Sequence, residues 1–210
     1  MDIPAIILTL QNATLFSEAL LPIFLILALV AMQVTDRGAI LLPSLLVVYL
    51  FVGITVSYVA MPHVAFSVWV VGIFGTIILY LAIRRIVGRT EPKILLQERG
   101  YRILIGLALG IVTWLIGFFL TYPAGSALIS TCVWALLLLG SLRFFTAKRG
   151  MEIGIALLVI LSGAGLWMTA VNNSPLIPGV WAVATIFLAL VTSWLTDRTE
   201  GQTQEPALSS

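Results

Sequence analysis

Long apolar stretches dominate the chain, and short polar breaks separate them. A membrane-spanning helix needs about 20 consecutive, mostly apolar residues, and seven such runs occur in the sequence. The breaks between them are rich in glycine, proline, asparagine and charge, as is typical of turns. The predicted spans are about 15–34, 39–60, 64–86, 103–122, 126–145, 151–171 and 177–196.

The basic residues predict a direction for the chain through the membrane. Cytoplasmic loops carry an excess of lysine and arginine, and all eleven such residues here fall in alternate inter-helix segments. Seven spans, with the N-terminus outside and the C-terminus inside, place all of them in the cytoplasm, whereas six or eight spans would divide them. The predicted fold is therefore an all-α, polytopic membrane bundle of about seven transmembrane helices. Residues 1–196 form one transmembrane domain, and residues 197–210 form a polar cytoplasmic tail that is expected to be disordered.

Composition agrees with a chain that is solvated by lipid. Hydrophobic residues make up 60% of the sequence and charged residues 10%, and the mean hydropathy is +1.13. A soluble domain would need a larger polar shell. A net charge of +2 is also too small for a nucleic-acid-binding surface. We expect a multi-pass protein of the plasma membrane or cell inner membrane, with the bilayer and not nucleic acid as its partner.

Six of the eleven cations lie in a single stretch, RRIVGRTEPKILLQERGYR. Arginines at the cytoplasmic end of a span can contact lipid phosphates. The stretch is interpreted mainly as a topology signal and lipid anchor, and docking of a cytoplasmic partner is the alternative. The residues of this predicted lipid or partner contact are Arg84, Arg85, Arg89, Lys93, Arg99 and Arg102.

Two acidic residues are candidates for a proton path, because ionisable groups inside a membrane are costly and often functional. Glu18 lies within the first predicted span, about one turn from its outer end. Glu152 begins the sixth span beside Lys148 and Arg149. The alternative is structural: Glu18 as an interfacial carboxylate, and Glu152 as a first-turn acid favoured by the helix N-terminus.

Residues for catalysis or metal binding are scarce in this sequence. His63 is the single histidine and Cys132 the single cysteine, too few for a metal site or for a haem held by two histidines. Neither a serine–histidine–aspartate arrangement nor a phosphate-binding motif can be assembled. We therefore expect no catalytic residues, no metal and no cofactor, and an intramembrane enzyme is disfavoured.

Small residues mark candidate helix contacts. Gly106 and Gly110 form a G-x-x-x-G step on the fourth span, and Gly163 and Gly165 belong to the SGAG segment of the sixth. Small residues allow close approach of helices in lipid, where hydrophobicity alone does not drive association. The contacts could be within this chain or with another subunit.

The order of several features resembles a known family. The third span ends in YLAIRRI, a basic linker containing TEPK follows, and LLLLGSLRFFTAKRGMEIGIALLVIL comes later. This layout resembles membrane component E of group 4, formate-hydrogenlyase-type hydrogenases, which is related to the small three-helix subunit of complex I and of cation/proton antiporters. The resemblance implies a subunit of a larger complex. It also implies a mid-membrane acid on the helix after the basic turn, but Ser162 stands there, so a proton relay is not expected in this chain.

Two functions remain open from the sequence. The first is a non-catalytic integral membrane subunit of an energy-converting complex, either an ion-translocating oxidoreductase or an antiporter-like assembly, with other membrane subunits as partners. The alternative is a self-sufficient small transporter or channel for an uncharged or lipid-like solute, since seven spans could enclose a cavity. Few ionisable residues inside the spans argue against an ion-coupled transporter acting alone.

The predicted orientation can be tested by thiol labelling. In a Cys132→Ala background, His63→Cys should react with a membrane-impermeant maleimide added to intact cells, because His63 lies in a predicted outer turn. Arg89→Cys, in the predicted inner loop, should react only after the membrane is permeabilised. Labelling of Arg89→Cys in intact cells would reverse the orientation.

Overall fold

The chain folds into seven α-helices over the residues that the structure describes. This computed structural model describes residues 20–35, 38–86, 96–120, 126–172, 174 and 176–201. The predicted all-helical membrane bundle is confirmed. The helices are α1 (Leu20–Val34), α2 (Gly38–Ser57), α3 (Pro62–Ile86), α4 (Leu96–Phe119), α5 (Ala127–Thr146), α6 (Gly150–Val171) and α7 (Leu176–Gly201).

Five helices, α3 to α7, contain a stretch that is long and apolar enough to cross a membrane. The apolar stretches of α1 and α2 are shorter, Leu20–Val34 and Leu41–Ser57. The bundle is therefore a membrane protein by length and composition. The count of seven spans and their orientation stay predictions.

The helices form two layers. Helices α4, α5, α6 and α7 lie side by side in chain order, and α2 crosses them by packing on α5 and α6. Helix α3 packs on α2 and closes against α7. Helix α1 completes the second layer, because Phe24 stacks on Phe51 of α2 with 6.2 Å between ring centroids and Ile26 contacts Gly110 of α4.

The core lies where α2 meets α5 and α6. In α5, 61% of the spanning stretch is buried inside the protein, whereas in α7 only 22% is buried. Leu45 of α2, Leu136 of α5 and Leu158 of α6 have no exposed surface. The central helices thus bury residues on most sides, while α3, α4 and α7 present much of their surface to the membrane.

Two helix boundaries differ from the predicted spans. Helix α4 begins at Leu96, ahead of the predicted 103, so the end of the basic stretch runs straight into the helix and continues through Arg102. Helix α7 continues to Gly201, past the predicted 196. Charged residues extend α4 at its start and α7 at its end beyond the apolar part of each helix. The apolar run alone therefore did not predict these two boundaries. Residues 202–210 of the predicted tail lie outside the described residues.

A glycine allows the closest approach between α4 and α5. A Cβ atom at Gly117 would overlap Oγ1 of Thr131 and also its backbone Cα, which cannot move without shifting α5. This contact requires a residue without a side chain. Gly179 of α7 offers the opposite environment, since nothing lies within 4 Å of a Cβ built there.

We expect Gly117→Ala to lower the free energy of unfolding by about 1–3 kcal/mol, because the added methyl group forces the two helices apart. Gly179→Ala is the matched control and should leave stability unchanged or raise it slightly through helix propensity. Unfolding of the purified protein in mixed detergent micelles measures both. Equal effects of the two substitutions would contradict the proposed close contact.

Candidate functional site

An arginine and a glutamate are buried together where α5 ends and α6 begins. Arg143 lies in the last turn of α5 and is 1% exposed, and Glu152 lies in the first turn of α6. Their closest atoms, Arg143 Nη2 and Glu152 Oε2, are 3.8 Å apart. This separation exceeds a hydrogen bond, so the attraction between them is electrostatic.

Arg143 also joins α5 to the end of α1. Its Nη1 donates a hydrogen bond to the backbone oxygen of Gln33 at 3.3 Å, and its Nη2 donates to the backbone oxygen of Thr35 at 3.0 Å. In return, the Gln33 amide Nε2 donates to the backbone oxygen of Leu139 at 2.7 Å. We call Gln33, Arg143 and Glu152 the Arg143 cluster.

The Arg143 cluster satisfies groups that lipid could not satisfy. The last carbonyls of a helix have no partner within it, and the Arg143 guanidinium supplies donors to two oxygens at the end of α1. Glu152 supplies the opposing charge and also accepts the backbone N–H of Lys148 at 3.0 Å. The arrangement can hold three helix ends in place. The Glu152 carboxylate, a candidate for a proton path, therefore faces partners from its own chain.

Three hydroxyl groups converge in a second buried site, between α2, α6 and α7. The Tyr49 hydroxyl lies beside those of Ser162 and Thr185, and Tyr49 is 3% exposed. Ser162 and Thr185 each donate to the backbone oxygen four residues earlier, on Leu158 at 2.8 Å and on Trp181 at 2.9 Å. The hydroxyl oxygens of Ser162 and Thr185 thus keep lone pairs that can accept a further hydrogen bond. We call Tyr49, Ser162 and Thr185 the hydroxyl cluster.

A small cavity adjoins Tyr49 and Thr185 of the hydroxyl cluster. The Tyr49 oxygen has no hydrogen-bond partner within the described part of the chain, although a buried hydroxyl normally has one. A cavity of about 10 Å³ lies against Tyr49, Thr185 and Trp181. A volume near this value is the least that holds a water. The site can bind one water through hydroxyl groups and is too small for an organic solute.

The residues of the predicted lipid or partner contact lie in different environments. Arg84 is exposed at the end of α3, whereas Arg102 is buried on α4 at 8% exposure. Arg85 and Arg99 lie on helices, but their side chains are outside the described set. Arg89 and Lys93 lie outside the described residues altogether, as does Glu18 of the predicted proton path.

The four predicted packing glycines all lie near side chains of a neighbouring helix. A Cβ at Gly106 would be 3.4 Å from Val30 of α1, and one at Gly110 would be 2.7 Å from Ile26. On α6, Gly163 lies against Leu136 and Leu137 of α5, and Gly165 lies against the ring of Trp181 on α7. All four contacts are within this chain.

Sequence reasoning missed Gln33, Arg143, Tyr49 and Thr185 as members of a site. A glutamine in the apolar segment VAMQV was an available signal, because an amide inside a span needs a hydrogen-bond partner. By its position in the sequence, Arg143 is one of the cations near a predicted cytoplasmic loop that indicate the topology. No sequence pattern pairs it with α1. Among the described residues, no group of three or more histidine, cysteine, aspartate or glutamate side chains could hold a metal ion.

We expect Glu152→Gln to lower the free energy of unfolding by about 3 kcal/mol, because it leaves Arg143 buried without a carboxylate. The double variant Arg143→Gln/Glu152→Gln should lose less than the sum of the two single changes. Asp197→Asn, which alters an exposed carboxylate on α7, is the control and should change stability by less than about 1 kcal/mol. Additive single effects would show that Arg143 and Glu152 do not interact.

No protein-family model, curated protein or solved structure matches the chain. The resemblance to hydrogenase component E thus depends on the sequence patterns given above. The function must be argued from the sites themselves.

Proposed function

We propose that the chain is a non-catalytic integral membrane subunit of a larger energy-converting complex, of the ion-translocating oxidoreductase or antiporter-like type. The observation that carries this proposal is the small size of the cavity beside the buried hydroxyl cluster. The cavity beside Tyr49, between α2, α3 and α7, has a volume of about 10 Å³. Small-molecule sites usually measure about 300–1,000 Å³. A helix bundle packed to this degree suits a structural role better than passage of a solute.

The Arg143 cluster supports the same role. A proton relay needs groups that exchange protons with water or with one another along a path. Here the Arg143 guanidinium contacts two backbone oxygens and Glu152, and Glu152 also accepts a backbone N–H. Each of these contacts is made within the chain and joins secondary-structure ends. The pair therefore favours a fixed helix arrangement, which a subunit that positions its neighbours requires.

The peripheral helices offer surface for partner subunits. Helix α7 has the least buried spanning stretch, at 22%. Large apolar side chains cover its outer face at spacings of three and four residues, and more than half of each is exposed: Val180, Val183, Phe187, Leu190 and Trp194. Such a stripe can pack against lipid or against helices of another subunit. The resemblance to component E favours the second, because that protein belongs to a multi-subunit complex.

The alternative function, a self-sufficient transporter, would need a solute-sized cavity inside the bundle. Two larger cavities, of about 350 and 310 Å³, lie between neighbouring helices and are bordered by exposed side chains such as Leu50 and Phe145. Their position suits lipid contact. Neither favours a central solute path.

The proposal can be tested by photo-crosslinking in native membranes. A benzoylphenylalanine residue at Phe187 on α7, at Phe74 on α3 or at Ile111 on α4 reports what covers each exposed face. We expect at least one position to crosslink to a larger polytopic protein, which should also co-purify with the tagged chain in mild detergent. The buried Leu136 position on α5 is the control and should crosslink only within the chain.

Two results would contradict a subunit role. One is purification of a stable, lone chain from native membranes, with lipid as the only crosslinked species at all three exposed positions. The other is solute flux by the purified chain alone in liposomes, which would support the transporter alternative.

A further inference from the structure

A cavity of about 310 Å³ lies between the end of α1, the start of α4 and the end of α5. We call it the α4–α5 pocket. Both charged and apolar side chains line it: Gln33, Tyr101, Arg102, Ile105, Leu142, Phe145, Thr146, Ala147 and Lys148. It adjoins the Arg143 cluster through Gln33. The pocket lies where apolar helices give way to polar turns, as at a membrane interface.

The charge of the pocket is positive. Arg102 and Lys148 line it, and none of the described residues that line it is acidic. The partial negative charge at the end of α5 opposes an anion, but it amounts to about half a charge. The Glu152 carboxylate next to Lys148 is itself opposed by Arg143. Arg102 and Lys148 each make a further interaction within the protein. A guanidinium carries five N–H donors and an ammonium three, so both can contact an anion in addition.

Arg102 is held in position by its surroundings, because only 8% of its surface is exposed. A surface arginine loses side-chain entropy when it binds a ligand, whereas a buried one has already lost most of it. A planar guanidinium also matches the geometry of phosphate oxygens. Arg102 is thus better suited to a defined phosphate contact than the exposed Arg84 on α3.

The rest of the pocket is apolar and opens beside exposed rings. Ile105 and Leu142 form its wall, and Tyr101 and Phe145 at its edge are 67% and 82% exposed. A soluble phosphate compound has no apolar group to cover the apolar wall of the pocket. A lipid matches both parts, because its phosphate meets the cations and its acyl chain follows the wall.

We propose that the α4–α5 pocket binds one anionic membrane phospholipid. Arg102 and Lys148 contact the phosphate of the headgroup, and the acyl chain lies along Ile105, Leu142 and Phe145. This inference does not depend on the proposed function, since the site is complete within one chain. It places Arg102 in a defined lipid-binding site together with Lys148. Lys148 lies outside the basic stretch that contains Arg102.

Native mass spectrometry of the full chain in detergent tests the proposal. Dioleoyl-phosphatidylglycerol is titrated as the anionic lipid and dioleoyl-phosphatidylcholine as the neutral one. We expect one phosphatidylglycerol to bind more tightly than phosphatidylcholine. Arg102→Gln and Lys148→Gln should each weaken phosphatidylglycerol binding about fivefold, the effect of one cation near a membrane anion. Comparable affinity for both lipids would overturn the proposal.

Exposed cations elsewhere provide matched controls for charge. Arg84→Gln on α3 and Arg198→Gln on α7 remove the same charge outside the pocket. Both should retain phosphatidylglycerol binding within about twofold. Equal weakening by all four substitutions would mean that the lipid responds to total charge and would overturn the assignment of a site.

Two further measurements separate the remaining outcomes. Lys148 is exposed, so Lys148→Gln keeps the test valid if Arg102→Gln does not fold. Arg102→Lys keeps the positive charge and should recover most of the phosphatidylglycerol binding that Arg102→Gln loses. Calorimetry with inorganic phosphate alone should detect no binding to the chain in detergent. Phosphate binding as tight as that of phosphatidylglycerol would assign the pocket to a soluble anion and overturn the lipid proposal.

Discussion

The structure depends on one constraint: a charged group away from water must find its partners within the protein. At 1% exposure, the Nη1 and Nη2 atoms of Arg143 meet this constraint by contacting two carbonyl oxygens at the end of α1 and the Glu152 carboxylate of α6. Its Nε has no hydrogen-bond partner among the described residues. Water cannot replace these partners. The contacts therefore fix the ends of α1 and α5 relative to the start of α6. They also position Gln33, which belongs to the Arg143 cluster and lines the α4–α5 pocket.

The same constraint accounts for the hydroxyl groups inside the helices. A threonine in a span can donate to the carbonyl one turn earlier, and Thr76, Thr169 and Thr192 all do so, at 2.7–2.8 Å. Bonded in this way, such residues behave as small packing groups and let neighbouring helices approach. Tyr49 is different, because a ring hydroxyl cannot reach its own backbone. Its oxygen has no hydrogen-bond partner within the described part of the chain, and a cavity of about 10 Å³ adjoins the residue.

The sequence predicted the helices well because apolar runs of about 20 residues have few other solutions in a membrane. The two largest differences between a predicted span and the observed helix, at the start of α4 and the end of α7, occur where charged residues continue a helix beyond its apolar part. The sites could not be predicted in the same way. Arg143 was interpreted as a loop cation, because the positive-inside rule considers position along the chain and not the direction of a side chain. Its contacts with residues more than 100 positions earlier depend on how the two layers pack.

The hydroxyl cluster also affects what a complex containing this chain would require. Where the resemblance implies a membrane-embedded acid, Ser162 supplies a hydroxyl that donates to the Leu158 oxygen and lies beside Tyr49. A serine hydroxyl can extend a hydrogen-bond chain, but it does not store a proton near neutral pH as a carboxylate can. One water among three hydroxyls could orient a neighbouring group without carrying charge across the bilayer. Under the proposed function, a proton path would therefore not pass through the Ser162 position, and α6 would contribute a fixed helix position there.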